Sequence, residues 1–421
     1  MSAGQSGPIS TGCTVAGRRK HPVAAKNGRP TIPTRVRFHA ARATFVPVAV
    51  TLGIAVAGVM ALSGGQALAS QVSCGDTITA DTTLHHNLVN CPNNGIVIGA
   101  DDVTLDLNYH RIDGDGTPAA GCNPETEFCD VGVLNDGHDG VTVAHGSVRQ
   151  FDFGPSVLGA RHNRLLGISS SRQRLFGFFV VDSARSVVRD SSGSRNPAPD
   201  GDGMGLFGSH RVRVLNSSFR HNAQPGIHVA FDSNHNLIKG NVFSRNAPAI
   251  ALEKADRNRV RRNRFARNGA SVVVAPGTGN VIARNRFFKG GDGIAIEKGH
   301  RNLVARNDIV APRGNGIYLA LDRPPIGGHD NLVRRNSVRG SGGAAFLVRG
   351  EDRHSRLKRN VAVGAGEDGF DVESRSAKLT RNEARRNGDL GIEAVRGVSD
   401  GGGNRASCNG DPRQCTHISC T

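Results

Sequence analysis

The sequence has no tryptophan, two tyrosines and three methionines, and aromatic residues make up 5 % of it. A chain of 421 residues so poor in bulky side chains does not build its interior around large rings, which excludes an ordinary large globule. Acidic residues are also short, 36 Asp and Glu against 53 Lys and Arg, for a net charge of +17. No cysteine lies between Cys129 and Cys408. The cysteine spacings fit no zinc-ligand template, and no cofactor motif is evident. Amphipathic runs of helical length are missing too, which excludes helical and leucine-rich repeats.

Glycine is abundant instead, 55 residues without a collagen triplet, as expected for many recurrent turns. The first seventy residues carry eight of the basic side chains and no acidic one, leaving about +9 for the rest. Their apolar run, Phe45 to Leu62, is followed by Ala67-Leu68-Ala69, the pattern of a secretory signal cut near Ala69. The chain is therefore expected to be secreted or displayed at the cell surface. The alternative is a membrane anchor formed by residues 45–62, the only segment suited to membrane contact. Gly17-Arg18-Arg19 lies too far from the apolar run for a twin-arginine signal.

Seven cysteines follow this leader, clustered at the two ends. In an exported chain they suggest disulfides, with Cys74 to Cys91 and Cys122 to Cys129 the sequence-local pairings. Cys408 and Cys415 are expected to be bridged as well, and one of the seven is left odd.

A repeat dominates the rest. "GIHVAF" at 226, "AIALEK" at 249, "SVVVAP" at 271, "GIAIEK" at 293, "GIYLAL" at 316, "AAFLVR" at 344, "GFDVES" at 369 and "GIEAVR" at 391 continue a series that begins with "GIVIGA" at 95. A second marker keeps the same period: "NLIKGN", "NRVRRN", "NVIARN", "NLVARN" and "NLVRRN" end at Asn241, Asn263, Asn285, Asn307 and Asn336. Each unit holds short period-2 runs separated by turn residues. Stacked coils about 4.8 Å apart satisfy this pattern, so the expected fold is all-β, a single-stranded parallel β-helix of about 13 coils with about 22 residues per coil. The polar stretch "NRVRRNRFARN" at 258–268 then makes sense: Val260 and Phe265 face inward, the arginines outward, and Asn263 joins an amide ladder along the axis. The expected organisation is a leader (1–69), an N-terminal cap (70–94), the β-helix (95–400) and a cysteine-containing C-terminal cap (401–421).

The Gly-apolar-any-apolar strands and Asn-any-apolar-any-any-Asn turns resemble those of right-handed parallel β-helix proteins. That pectin lyase-like superfamily includes pectate lyases, polygalacturonases, mannuronan C5-epimerases and periplasmic NosD-type proteins. "CGDTITADTTL" with "GIVIGADDVTLDLNYHRIDG" also resembles the first coils of exported bacterial members. The resemblance spans roughly residues 72–400 and implies the fold. For function it implies a lyase, epimerase or hydrolase of an acidic polysaccharide or cell-envelope polymer; the alternative is a non-catalytic surface scaffold. The family's catalytic motifs are broken here. "GGDGIAIEKGH" at 290–300 has Gly293 where polygalacturonases carry a second Asp, and neither Gly-His-Gly nor Asp-Pro-His-Asp occurs.

Insertions mark the working face of a solenoid. The long steps carry "DGDGTPAAGCNPETEFCD", "SRNPAPDGD" and "LDRPPIGGHD", all beside the column of Gly-led strands. Outward positions of that column put Asp371 and Glu393 at equal places on adjacent coils, with Glu373 near. Carboxyls so placed can share acid and base work. Arg349, Arg375 and Arg396 stand close enough in sequence to neutralise them instead. Tyr318 beside Phe346 is the expected platform for a sugar ring, with His228, Glu297, Lys298 and Arg349 as further substrate-binding candidates. "PDGDG" at 199–203 offers Asp200 and Asp202 to a hard cation, so calcium is the one metal expected. Export, the lack of interleaved aromatics and the absence of a recognition motif argue against nucleic acid as the partner.

Overall fold

The computed structural model describes residues 71–121, 128–197, 199–319 and 327–421. The leader, the 45–62 segment, Cys122 and the tip of the 322–330 insertion fall outside them. Among the described residues every regular element is a strand, and all strand pairs are parallel. Most coils contribute one short strand to each of three columns; Thr142–Arg149 and Arg164–Ser171 each span the second and third. In one coil these are Ile250–Leu252, Arg259–Arg261 and Arg264–Asn268; the next repeats them as Val272–Val274, Val281–Ala283 and Arg286–Gly290. The chain is thus a parallel β-helix, and its first column holds 14 strands.

The winding begins one coil earlier than the repeat alignment suggests. Asp76–Ile78 pairs with Ile96–Ile98, so residues grouped with the N-terminal cap form the first coil. At the other end Arg405–Ser407 still pairs in the third column with Glu383–Arg385. We number the coils 1 to 14 from Asp76–Ile78 to Ile392–Ala394.

Alternation sorts the side chains. Val260 and Phe265 are buried while Arg259, Arg262 and Arg264 are exposed, as a period of two requires on a surface closed around one core. Equal positions meet along the axis: Phe219, Phe243, Phe265 and Phe287 form a continuous ring stack with centroids 4.6–5.4 Å apart. The turns are held by amides. Asn285 Nδ2 donates to Asn307 Oδ1 at 3.1 Å and to the Val260 carbonyl at 3.0 Å, so no hydrogen of this buried amide is left unmade. Parallel ladders run through Asn236, Asn258, Asn280 and Asn302 at one flanking turn and through Asn196, Asn222 and Asn246 at the other. Asn at such turns suits stacked coils because each amide both gives and takes along the axis.

The ends are stapled as expected in part. Cys74 and Cys91 are bonded. Cys415 pairs with Cys420, and Cys129 and Cys408 are each engaged in a disulfide as well. Among the described residues no cysteine is free, so the expected odd thiol is not found there.

Candidate functional site

The outer face of the first column changes character along the rod. Over coils 4–6 it carries an aromatic cluster, Phe153, Phe176, Phe179 and Phe207, separate from the interior core. Phe176 and Phe179 lie 4.6 Å apart. Over coils 9–12 Val273, Ala295, Tyr318 and Leu347 form a second apolar patch. Two polar clusters border these patches.

The first cluster centres on His228. Its Nδ1 lies 3.5 Å from Asp202 Oδ2 and its Nε2 lies 3.4 Å from Glu253 Oε2. Phe207 packs edge-on against the imidazole at 5.2 Å. Burial works against a charged imidazole, yet the two carboxylates outweigh it and push the His228 pKa up to about 9. Burial raises Asp202 and the imidazole opposes that rise; Glu253 is drawn down, chiefly by its bond to His228. The outcome is an imidazolium held between two carboxylates, an ion-pair relay with the wrong charge state for a general base at neutral pH. The expectation of calcium meets a competing role here, since Asp202 faces His228. No three His, Cys, Asp or Glu side chains converge as a metal site among the described residues.

The second cluster occupies coils 12–14, six coils or about 29 Å from His228. Asp371 and Glu393 are direct register partners on adjacent strands, as the repeat implies. Asp371 is half-buried and Glu393 exposed. Burial, then the charges of Glu373 and Glu393, push the Asp371 pKa up to about 6, with Arg349 opposing. Glu373 is different: the guanidinium of Arg349 is bonded to it. Asp368 sits just inside, raised to about 7 mainly by burial, and its Oδ1 accepts the Leu390 N–H at 2.8 Å. Asp292 makes the same bond to the Asn315 N–H at 2.6 Å three coils earlier, so Asp368 has a turn-capping role.

The structure therefore unites Asp371, Glu373, Glu393 and Arg349, and separately unites Asp202 with His228. It breaks up the expected sugar platform. Phe346 is 1 % exposed and stacks inside the core on Phe370 at 4.6 Å, while Leu347 is the neighbour of Tyr318. Ala344 and Ala345 are both small enough to head the strand, and choosing the wrong one flips every following side chain to the opposite face. Tyr318 does lie on the outer face of the column but is 6 % exposed within the apolar patch. Glu297 is half-buried at the place that Glu253 holds two coils earlier, and Lys298 beside it is exposed with a left-handed backbone. Sequence reasoning missed Glu253 and Asp368. The signal for Glu253 was its position two residues beyond the one that stacks on His228; for Asp368 it was the recurrence of Asp before the leading Gly, as in Asp202 and Asp292.

A family model described as "Right handed beta helix region" matches residues 76–275 and 187–324. No curated protein matches the chain. Among solved structures it is similar to the tailspike gp61 of Pseudomonas phage phi297, with 11 % identity over 75 % of this chain and 70 % of that one and a TM-score of 0.45. It is similar also to the periplasmic alginate epimerase AlgG, with 14 % identity over 79 % and 74 % and a TM-score of 0.40. A third is PfbA, a surface adhesin of Streptococcus pneumoniae, with 10 % identity over 75 % and 82 % and a TM-score of 0.40.

Proposed function

We propose, for a chain that belongs to the right-handed β-helix family, that it binds and cleaves an acidic polysaccharide on the outer face of its first column, outside the cytoplasm. One observation carries this reading: Asp371 and Glu393 are side by side in unlike settings, one half-buried with its pKa raised to about 6 and the other solvated. Such a pair supplies a protonated acid and an ionised partner at once. Outward positions on adjacent parallel strands lie about 5 Å apart, near the spacing of two carboxyls that work through a covalent glycosyl intermediate. Asp371 is then the acid that protonates the leaving oxygen and Glu393 the nucleophile. Glu373 is an anchor for Arg349, whose guanidinium stands ready to meet a uronate carboxylate. Leu347 is the register partner of Asp371, so the buried apolar patch of Tyr318 and Leu347 borders this pair.

The second reading, a non-catalytic surface scaffold, draws support from Glu373, which is already neutralised by Arg349. Incubation of the full chain with polygalacturonate, alginate and hyaluronan separates the two. New reducing ends that vanish in Asp371→Asn support hydrolysis. Ultraviolet absorbance of unsaturated sugars without dependence on Asp371 overturns the assigned roles. Binding without any product favours the scaffold.

A further inference from the structure

The turn between the second and third columns holds an unusual row. Arg262, Arg284, Arg306, Arg335, Arg359 and Arg381 occupy the same place in six consecutive coils, each exposed and each with φ between 52° and 57°. That left-handed backbone is costly for a side chain with a Cβ and favours Gly or Asn. The preceding coils obey the preference, with Asn216 and Gly240 at this place. The row is fixed by the backbone: the Arg284 N–H donates to the Ala305 carbonyl at 3.0 Å and the Arg306 N–H to the Arg334 carbonyl at 3.1 Å, coil to coil.

Nothing in the fold repays this choice. Like charges stacked on neighbouring strands repel, and none of the six makes an ion pair among the described residues. The strands flanking the row in these coils hold only two carboxylates, and both are spoken for: Asp308 by Arg339 at 2.8 Å and Glu383 by Arg385 at 3.0 Å. Arg261, Arg334 and Lys358 extend the positive field on the adjoining strand. A strained, self-repelling, uncompensated row of guanidinium groups lowers stability unless something anionic covers it.

We propose that this arginine row is a docking track for a linear acidic polysaccharide lying parallel to the rod axis, on a face distinct from the first-column carboxylates. One cation per coil, about 4.8 Å apart over some 24 Å, presents a straight single file suited to one extended chain bearing a carboxylate on each sugar. Duplex nucleic acid winds its phosphates around an axis with a rise of about 3.4 Å per strand, which does not follow a straight file of cations, and single strands are held by interleaved aromatic platforms; the six turn positions offer none. The inference rests on the reading above only for the kind of polymer, and it names that polymer's charge pattern. Retention of substrate on a track and chemistry on another face are separable events.

The test compares two fourfold variants of the full chain. Arg284, Arg306, Arg335 and Arg359 are changed to Asn, which tolerates the left-handed backbone, so the folded state is kept. Control substitutions to Asn at Arg185, Arg211, Arg257 and Arg301, also left-handed but at the turn between the first and second columns, remove the same charge elsewhere. Binding to polygalacturonate is measured against salt, with dextran and oligothymidylate as comparison ligands. The row variant is expected to lose roughly tenfold or more in affinity with a shallower salt dependence, and the control less than about twofold. Binding is read at equilibrium and does not depend on product formation, so failure of the catalytic reading leaves this result intact. Equal losses in both fourfold variants, tighter binding of oligothymidylate than of polygalacturonate, or no binding by the native chain would each overturn the proposal.

Discussion

Asn263 and Asn285 lock two coils together through a single oxygen: Asn285 Oδ1 accepts the backbone N–H of Asn263 at 3.0 Å and its Nδ2 at 3.2 Å. Both residues are about fully buried, so the bonds are made where water offers no substitute. Asn285→Ala strands these donors and is expected to cost about 3 kcal/mol, at roughly 1–3 kcal/mol per buried group left without a partner. Asn285→Ser is expected to cost about half as much. Earlier coils use Ser at this place, where Ser217 Oγ accepts the Ser191 N–H at 3.2 Å. Urea denaturation of both variants checks the order; equal losses would mean that the ladder is not held by the side-chain acceptor.

The register of coil 12 makes a sharp contrast between neighbours. Phe346→Ala removes a buried ring stacked on Phe370 and is expected to cost about 3–5 kcal/mol. Leu347→Ala acts on the outer patch and is expected to cost less, about 1–2 kcal/mol. The reverse order of midpoints in denaturant would restore Phe346 to the surface.

Stability is expected to fall as pH rises from about 5 to 8. Asp352, Asp130 and Asp368 are raised to about 7, in each case chiefly by burial. In this window the folded state binds protons that the unfolded state has released, so the slope of stability against pH is negative. His228, raised to about 9 against the opposing pull of burial, acts in the same direction at higher pH, since its contribution is complete below about 6.5 and lost as pH passes 9. Asp352→Asn is expected to flatten the curve, because Asp352 is buried, its Oδ1 has no hydrogen-bond partner among the described residues and its Oδ2 accepts from Asn331 Nδ2 at 3.3 Å. Thermal melts from pH 5 to 8 that rise with pH would contradict the assignment.

Turnover should separate the acidic residues by role. Asp371→Asn and Glu393→Gln are each expected to lower kcat by about 10²-fold or more on the cleaved polymer. Glu373→Gln is expected to raise KM with kcat little changed, because it frees Arg349 rather than removing a proton donor. A pH profile with an apparent pKa near 6 on its alkaline limb, absent in Asp371→Asn, identifies the acid. An unchanged profile would rule that assignment out.

His228 is expected to be protonated at pH 7 and to titrate near pH 9 in the native chain, as read from its imidazole proton shifts by NMR. Asp202→Asn or Glu253→Gln should bring that midpoint down. Titration below pH 7 in the native chain would remove the ion-pair relay.

The sequence by itself determined the winding. A 22-residue period with alternating apolar residues and a recurring Asn admits one economical arrangement, because stacking turns equal positions into neighbours and repeats every contact. That is why Val260, Phe265 and the Asn263 ladder were legible, and why Asp371 could be set beside Glu393. Tertiary structure decided what the repeat leaves free. Long side chains reach across coils in directions that period does not fix, so Arg349 took Glu373 while Asp371 remained unpaired, and His228 found Asp202 and Glu253 around it. Where two small residues stood together at Ala344 and Ala345, packing of Phe346 on Phe370 chose the register, since only one choice fills the core. The unpaired state of the arginine row is likewise a property of the folded surface: sequence shows the charges, and only the coil-by-coil placement shows that, among the described residues, no carboxylate pairs with them.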